Sequence, residues 1–231
     1  MGTPSIEVCS VLVREPTTLL TDLVLSVACF WYAWAVWKRT DTQPLAGFWT
    51  LFFGAMAVST LLGGLAHGFD YAFGKTARVA SWMAAGVAVF CAEQATIPVV
   101  SGKRKKKMLG WLTWLQLALF VGAVLSFRTF TVVTVNTAVG LLGLVTAVHF
   151  HRYRKTLDTG SGYIVAGILL SGVTAIIHQF RISPHPWFNH NDLSHIILLF
   201  CLYLLMVGAR SAAPLAEVRV SLPVQAGRER G

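Results

Sequence analysis

The hydrophobic positions of this chain form long blocks that follow one another with only short polar breaks. A bilayer core of about 30 Å is crossed by about 20 apolar residues in a helix. Seven blocks of that order, bounded by charge, Gly or Pro, run approximately over 18–37, 47–69, 79–100, 108–127, 130–150, 163–180 and 192–207. The fourth and fifth are separated only by Arg128 and Thr129. The pattern predicts an all-α membrane protein, a bundle of seven transmembrane helices. No long soluble segment interrupts it, so residues 1–231 are read as a single domain. The N-terminus lacks the basic start, short apolar core and small-residue cleavage site of a secretory signal. The first block is therefore expected to persist as a membrane helix.

Composition agrees with this reading: 55% of residues are hydrophobic and 13% charged, against about 25% charged in a soluble domain. The net charge of +9 has two physical readings, nucleic-acid binding or a membrane topology signal, and the placement of the charges separates them. With seven crossings, one side carries Lys38, Arg39, Lys103, Arg104, Lys105, Lys106, Lys107, Arg152, Arg154, Lys155, Arg210, Arg219, Arg228 and Arg230. The other side carries only Arg14, Lys75, Arg78, Arg128 and Arg181. Fourteen basic residues against five place the C-terminus in the cytoplasm and the N-terminus outside by the positive-inside rule. Removing one middle helix would split the Lys103–Lys107 run from the Arg152 cluster, so the bias supports the count of seven. The run reads as a contact with anionic headgroups, and no aromatic interleaving or soluble domain accompanies it to favour nucleic acid. The expected location is the plasma or inner membrane, with membrane lipids as partners and the oligomeric state open.

Ionisable side chains at membrane depth are costly and mark functional sites. Glu15 and Asp22 fall at the outer start of the first block, and His67 and Asp70 at the outer end of the second. His178 lies at the outer end of the sixth block, and His190, Asp192 and His195 at the outer start of the seventh. His67 and Asp70 are three residues apart, as are Asp192 and His195, so each pair shares a helix face. A site drawing His67 from one helix and His190 plus His195 from another offers three nitrogens and an open fourth position, the catalytic zinc arrangement. His149 and His151, beside Arg152 and Arg154, are expected on a solvated headgroup face, and His185 in an exposed loop. Glu93 and Gln94 are expected to hydrogen-bond across the bundle. Cys9, Cys29, Cys91 and Cys201 have no metal-binding spacing, and three of them lie inside apolar blocks.

Seven helices, a His near the end of the second and a His pair at the start of the seventh resemble the superfamily that joins alkaline ceramidases with progestin and adipoQ receptors. The stretches that carry the likeness are Gly63-Gly64-Leu65-Ala66-His67-Gly68-Phe69-Asp70 and His190-Asn191-Asp192-Leu193-Ser194-His195. Gly63 stands where that superfamily has Ser, and Asn191 where it has the first His of the seventh-helix pair. The resemblance implies a zinc-dependent hydrolase of lipid amides or esters near the outer leaflet, with zinc on His67, His190 and His195. Asp70 or Asp22 would hold the attacking water or orient a ligand histidine. Two other classes remain open on the residues alone. One is a non-enzymatic receptor or transporter with a polar ligand or proton site. The other is a b-type haem protein with His67 and His195 as axial ligands. A retinal protein is excluded, because the seventh block contains no Schiff-base lysine.

Overall fold

The computed structural model describes residues 4–40 and 46–211. Arg219, Arg228 and Arg230, which contributed to the charge bias, lie outside the described residues. A short hairpin comes first, β1 (Ser5–Val8) paired antiparallel with β2 (Val11–Arg14). Cys9 and Ser10 turn it with φ of 51° and 65°, the left-handed pair that a two-residue hairpin loop requires. Seven helices follow: α1 (Pro16–Trp37), α2 (Ala46–Gly68), α3 (Gly74–Thr96), α4 (Lys103–Phe127), α5 (Phe130–Thr156), α6 (Thr159–Phe180) and α7 (His190–Ser211). All seven, with α3 continued by a 3-10 turn over Ile97–Val99, are long and apolar enough to cross a membrane. The chain is an integral membrane protein of seven candidate spans.

The expected blocks correspond to these helices one for one, and the differences lie at the polar ends. α3 begins at Gly74 and takes Lys75 and Arg78 into its first turns, where long basic side chains reach the interface while the backbone stays helical. α4 begins inside the basic run at Lys103, and Lys106 Nζ donates to the Pro98 carbonyl at 2.8 Å. The narrow break at Arg128 is a true helix end. Arg128 adopts φ 50°, and its N–H bonds the Val124 carbonyl, a left-handed cap that stops a helix. α5 runs on to Thr156 and carries a π-helical stretch over Ala138–Val145.

Packing links the helices into a ring: α1 lies against α2 and α7, α2 against α3, α3 against α4 and α5, α5 against α6, and α6 against α7. The main core gathers Leu25, Trp49, Phe52, Phe53, Ile164 and Leu202. A smaller core of Phe120, Val124 and Val133 joins α4 and α5 to α3. Close approach of α1 and α2 depends on small residues. A Cβ on Gly64 would stand 2.9 Å from Asp22 Cβ, and one on Gly68 would stand 2.8 Å from Leu19 Cδ2. Gly64 and Gly68 form the small-xxx-small seam that lets membrane helices meet at backbone distance. Ser59 Oγ donates to the Ser81 carbonyl at 2.9 Å, and Ser81 Oγ to the Ser59 carbonyl at 2.8 Å, which clamps α2 to α3.

Candidate functional site

α1, α2 and α7 bring their polar ends together at the end of the bundle that also holds the hairpin, here called the histidine end. The hairpin leads into Glu15, which adopts φ 42° just before Pro16 opens α1. That turn aims the Glu15 carboxylate at the last turn of α2, where Oε2 lies 2.6 Å from His67 Nδ1. The hydrogen bond from His67 holds the Glu15 carboxyl below the usual glutamate range, against the opposing effect of partial burial.

One turn deeper, Asp22 of α1 is buried at 4% exposure. Its Oδ1 lies 3.5 Å from His195 Nε2 of α7. The other ring nitrogen, His195 Nδ1, is 3.0 Å from the Thr21 hydroxyl. Thr21 Oγ1 is in turn 3.4 Å from Asp192 Oδ1 and 3.1 Å from the Thr18 carbonyl. Asp192 is fully buried, and its second oxygen accepts the Asn189 backbone N–H at 2.7 Å, a cap on the first turn of α7. The result is one polar chain, Asp22–His195–Thr21–Asp192, that passes three times between α1 and α7, with hydrogen bonds joining His195 to Thr21 and Thr21 to Asp192 and a charge contact joining Asp22 to His195. Burial of two carboxylates is tolerable only with partners of this kind.

The chain has two self-consistent proton arrangements. In one, the Thr21 hydroxyl donates to His195 Nδ1, and His195 Nε2–H faces the Asp22 carboxylate at 3.5 Å. In the other, an added proton makes His195 a donor at both nitrogens. Thr21 then accepts from Nδ1–H and turns its own hydrogen toward Asp192. Rotation of one hydroxyl accommodates the extra proton without moving a helix.

The expected site residues divide. His67, Asp22 and His195 meet in this cluster. Asp70 lies beyond the end of α2 and forms a surface trio with Arg78 at 3.0 Å and Arg14 at 3.7 Å. Two guanidinium partners occupy that carboxylate at the rim. His190 opens α7 with its backbone N–H on Ser183 Oγ at 3.1 Å and its ring edge-on to His178 at 5.3 Å. Among the described residues, no group of three or more His, Cys, Asp or Glu side chains is arranged to hold a metal ion.

Thr21 was not singled out by the sequence, although Thr17, Thr18, Thr21 and Asp22 put four polar residues on the first two turns of an apolar helix. At the opposite, lysine-rich end, the expected solvated face is corrected. His151 is exposed as foreseen, but His149 is 1% exposed. His149 Nδ1 lies 2.9 Å from Ser161 Oγ of α6, and the neighbouring Arg152 is buried with Asp158 at 2.7 Å. The α5–α6 turn folds its polar residues inward against α3, which the basic flank of His149 did not reveal.

Residues 17–214 match the family described as "Family of unknown function (DUF6962)". No curated protein and no solved structure matches the chain.

Proposed function

The chain belongs to the DUF6962 family, a family of unknown function, and for this member we propose that the histidine-end cluster is the working site, an acid–base centre that exchanges a proton with a polar group of a lipid-like ligand held between α1, α2 and α7. The observation that carries this reading is the Asp22–His195–Thr21–Asp192 chain, with its two hydrogen-bonding states. His195 is the proton acceptor, Asp22 its charge partner, and Thr21 the rotor that links it to Asp192. The Glu15–His67 pair closes the cluster toward the hairpin. Potentiometric titration of protein in lipid nanodiscs tests it. Wild type takes up a proton at the Asp22–His195 pair as the pH is lowered, in addition to the protons taken up by the exposed histidines. Thr21→Val, which keeps the shape and removes the rotor, lowers the total uptake by one proton per molecule. Equal uptake by the two proteins overturns the proposal.

A second reading, the zinc-dependent hydrolase of a lipid amide or ester, is favoured by the orientation of two rings. His67 and His195 both engage Nδ1, one on a carboxylate and one on a hydroxyl. Metal-binding histidines are commonly oriented by such a bond on the nitrogen away from the metal. His190 is not part of this pair, and the described side chains are not grouped for a metal. Elemental analysis of protein purified without chelator separates the readings. About one equivalent of zinc, lost in His67→Ala and His195→Ala, favours the hydrolase, because three protein ligands with an open position hold zinc stoichiometrically. Zinc at trace level leaves the proton-exchanging site alone.

A further inference from the structure

A second set of polar groups lies within the bundle, between α3, α4 and α5, and takes no part in the histidine-end cluster. Glu93 of α3 is 1% exposed, and its Oε1 has no hydrogen-bond partner among the described residues. The side chain sits where α5 departs from α-helical geometry. A Cβ added to Gly140, inside the π-helical stretch, would stand 2.7 Å from Glu93 Oε1 and 3.1 Å from Gln116 Nε2. Gly140 thus gives the carboxyl direct access to the backbone of a π segment, a local irregularity frequent at functional sites. Gln116 of α4 donates to Asn136 Oδ1 of α5 at 3.0 Å. The group facing Glu93 from α4 is therefore the Gln116 amide, which also bonds Asn136 of α5, while Glu93 Oε1 keeps no partner among the described residues.

An ionised carboxylate with an unmet oxygen at this depth is far too costly to persist. A metal cation would need several more oxygen ligands than this seam provides. A proton needs one. One turn further along α3, Thr96 begins a hydrogen-bonded chain toward the lysine-rich end. Thr96 Oγ1 is 3.4 Å from His149 Nε2, and His149 Nδ1 is 2.9 Å from Ser161 Oγ. Ser161 donates to Asp158 Oδ2 at 2.7 Å, and Asp158 also accepts from Arg152 Nε at 2.7 Å, beside the α5–α6 turn. An imidazole between two hydroxyls is a competent proton shuttle.

We propose that Glu93 is a second, intramembrane proton-binding site, built against the π segment of α5 and loaded from the lysine-rich end through Asp158, Ser161, His149 and Thr96. Each transfer from Asp158 to Thr96 passes one proton along an existing hydrogen bond; the last, across the one turn of α3 between Thr96 and Glu93, is carried by a water molecule, which takes a proton on one side as it gives one up on the other.

Infrared spectroscopy of reconstituted protein tests this without any ligand. The carbonyl stretch of a protonated carboxylic acid is separate from carboxylate bands, and Glu93→Gln removes one such component present in wild type at neutral pH. In wild type that component shifts on transfer to D₂O well before the buried backbone amides exchange. In His149→Gln the shift slows roughly a hundredfold, the low end of what a positioned proton-transfer group contributes. If His149→Gln does not insert, Thr96→Val interrupts the same chain and gives the same slowing. Asp22→Asn leaves this component unchanged, which keeps the result independent of the histidine-end site. Identical acid-carbonyl spectra for wild type and Glu93→Gln overturn the proposal. So does an exchange rate untouched by both interruptions of the chain.

Discussion

The Glu15–His67 contact shows how one pair responds to solution conditions. The Glu15 carboxyl is held below its ordinary range by the hydrogen bond from His67. A group depressed in the folded state adds stability that is complete above the unfolded value, about 4.3 for glutamate. That stability is lost as pH falls through the lower folded value. Thermal melts in detergent should show an acid limb below about pH 4.3 that is shallower in Glu15→Gln. At neutral pH the same change costs about 0.2–1 kcal/mol, as for other partly exposed pairs. A limb of equal steepness in both proteins would mean that the pair does not act through Glu15. His67, Asp22 and His195 were legible because ionisable residues at the ends of apolar blocks are few and fell on one side. The placement of Asp70 was not legible from spacing: it follows His67 by one turn, but α2 ends at Gly68, and the carboxylate lies with Arg14 and Arg78. His149 was hidden by its basic neighbours, since sequence does not show that Arg152 turns inward to Asp158.

Among the elements, the α1–α2 seam sets the site. Gly64 and Gly68 allow α1 to approach until Asp22 and Leu19 touch the α2 backbone. Gly64→Leu therefore pushes Asp22 away from His195 and costs about 1–3 kcal/mol, the usual range for overpacking a close contact. The loss should appear in unfolding experiments and be accompanied by loss of the proton uptake assigned to the cluster. Gly54→Leu, at a position where an added Cβ meets nothing within 4 Å, should leave both unchanged. At the other end, Asp158→Ala removes the carboxylate that accepts from both Arg152 and Ser161 and should destabilise by about 1.5–3 kcal/mol, the range for hydrogen bonds to a charged group. A change below 1 kcal/mol, within the range of exposed pairs, would show that the α5–α6 network does not hold these helices. The seven helices themselves were readable from hydrophobic length alone. Their ends were not, because headgroup-level Lys and Arg continue a helix that a hydrophobicity search stops. The π stretch left no signal in the apolar pattern of Ala138–Val145.

For the whole molecule, seven crossings would set Gly74, at the histidine end, and the C-terminus on opposite sides of the membrane. By the charge bias of the sequence, a reporter inserted at Gly74 should read outside and one fused after Arg230 should read cytoplasm. The fold couples distant parts of the chain at the histidine end: Asp22 and His195 are 173 residues apart in sequence and 3.5 Å apart in space. The account stands or falls on whether these two share a proton. The direct measurement is a site-resolved pH titration of ¹⁵N-labelled histidine by NMR in nanodiscs, with wild type compared to Asp22→Asn and the His195 signals assigned by His195→Gln. The account predicts that His195 titrates together with Asp22, so that Asp22→Asn moves its titration and alters the Nε2 signal first. A His195 titration that is the same with and without the Asp22 carboxylate would contradict it.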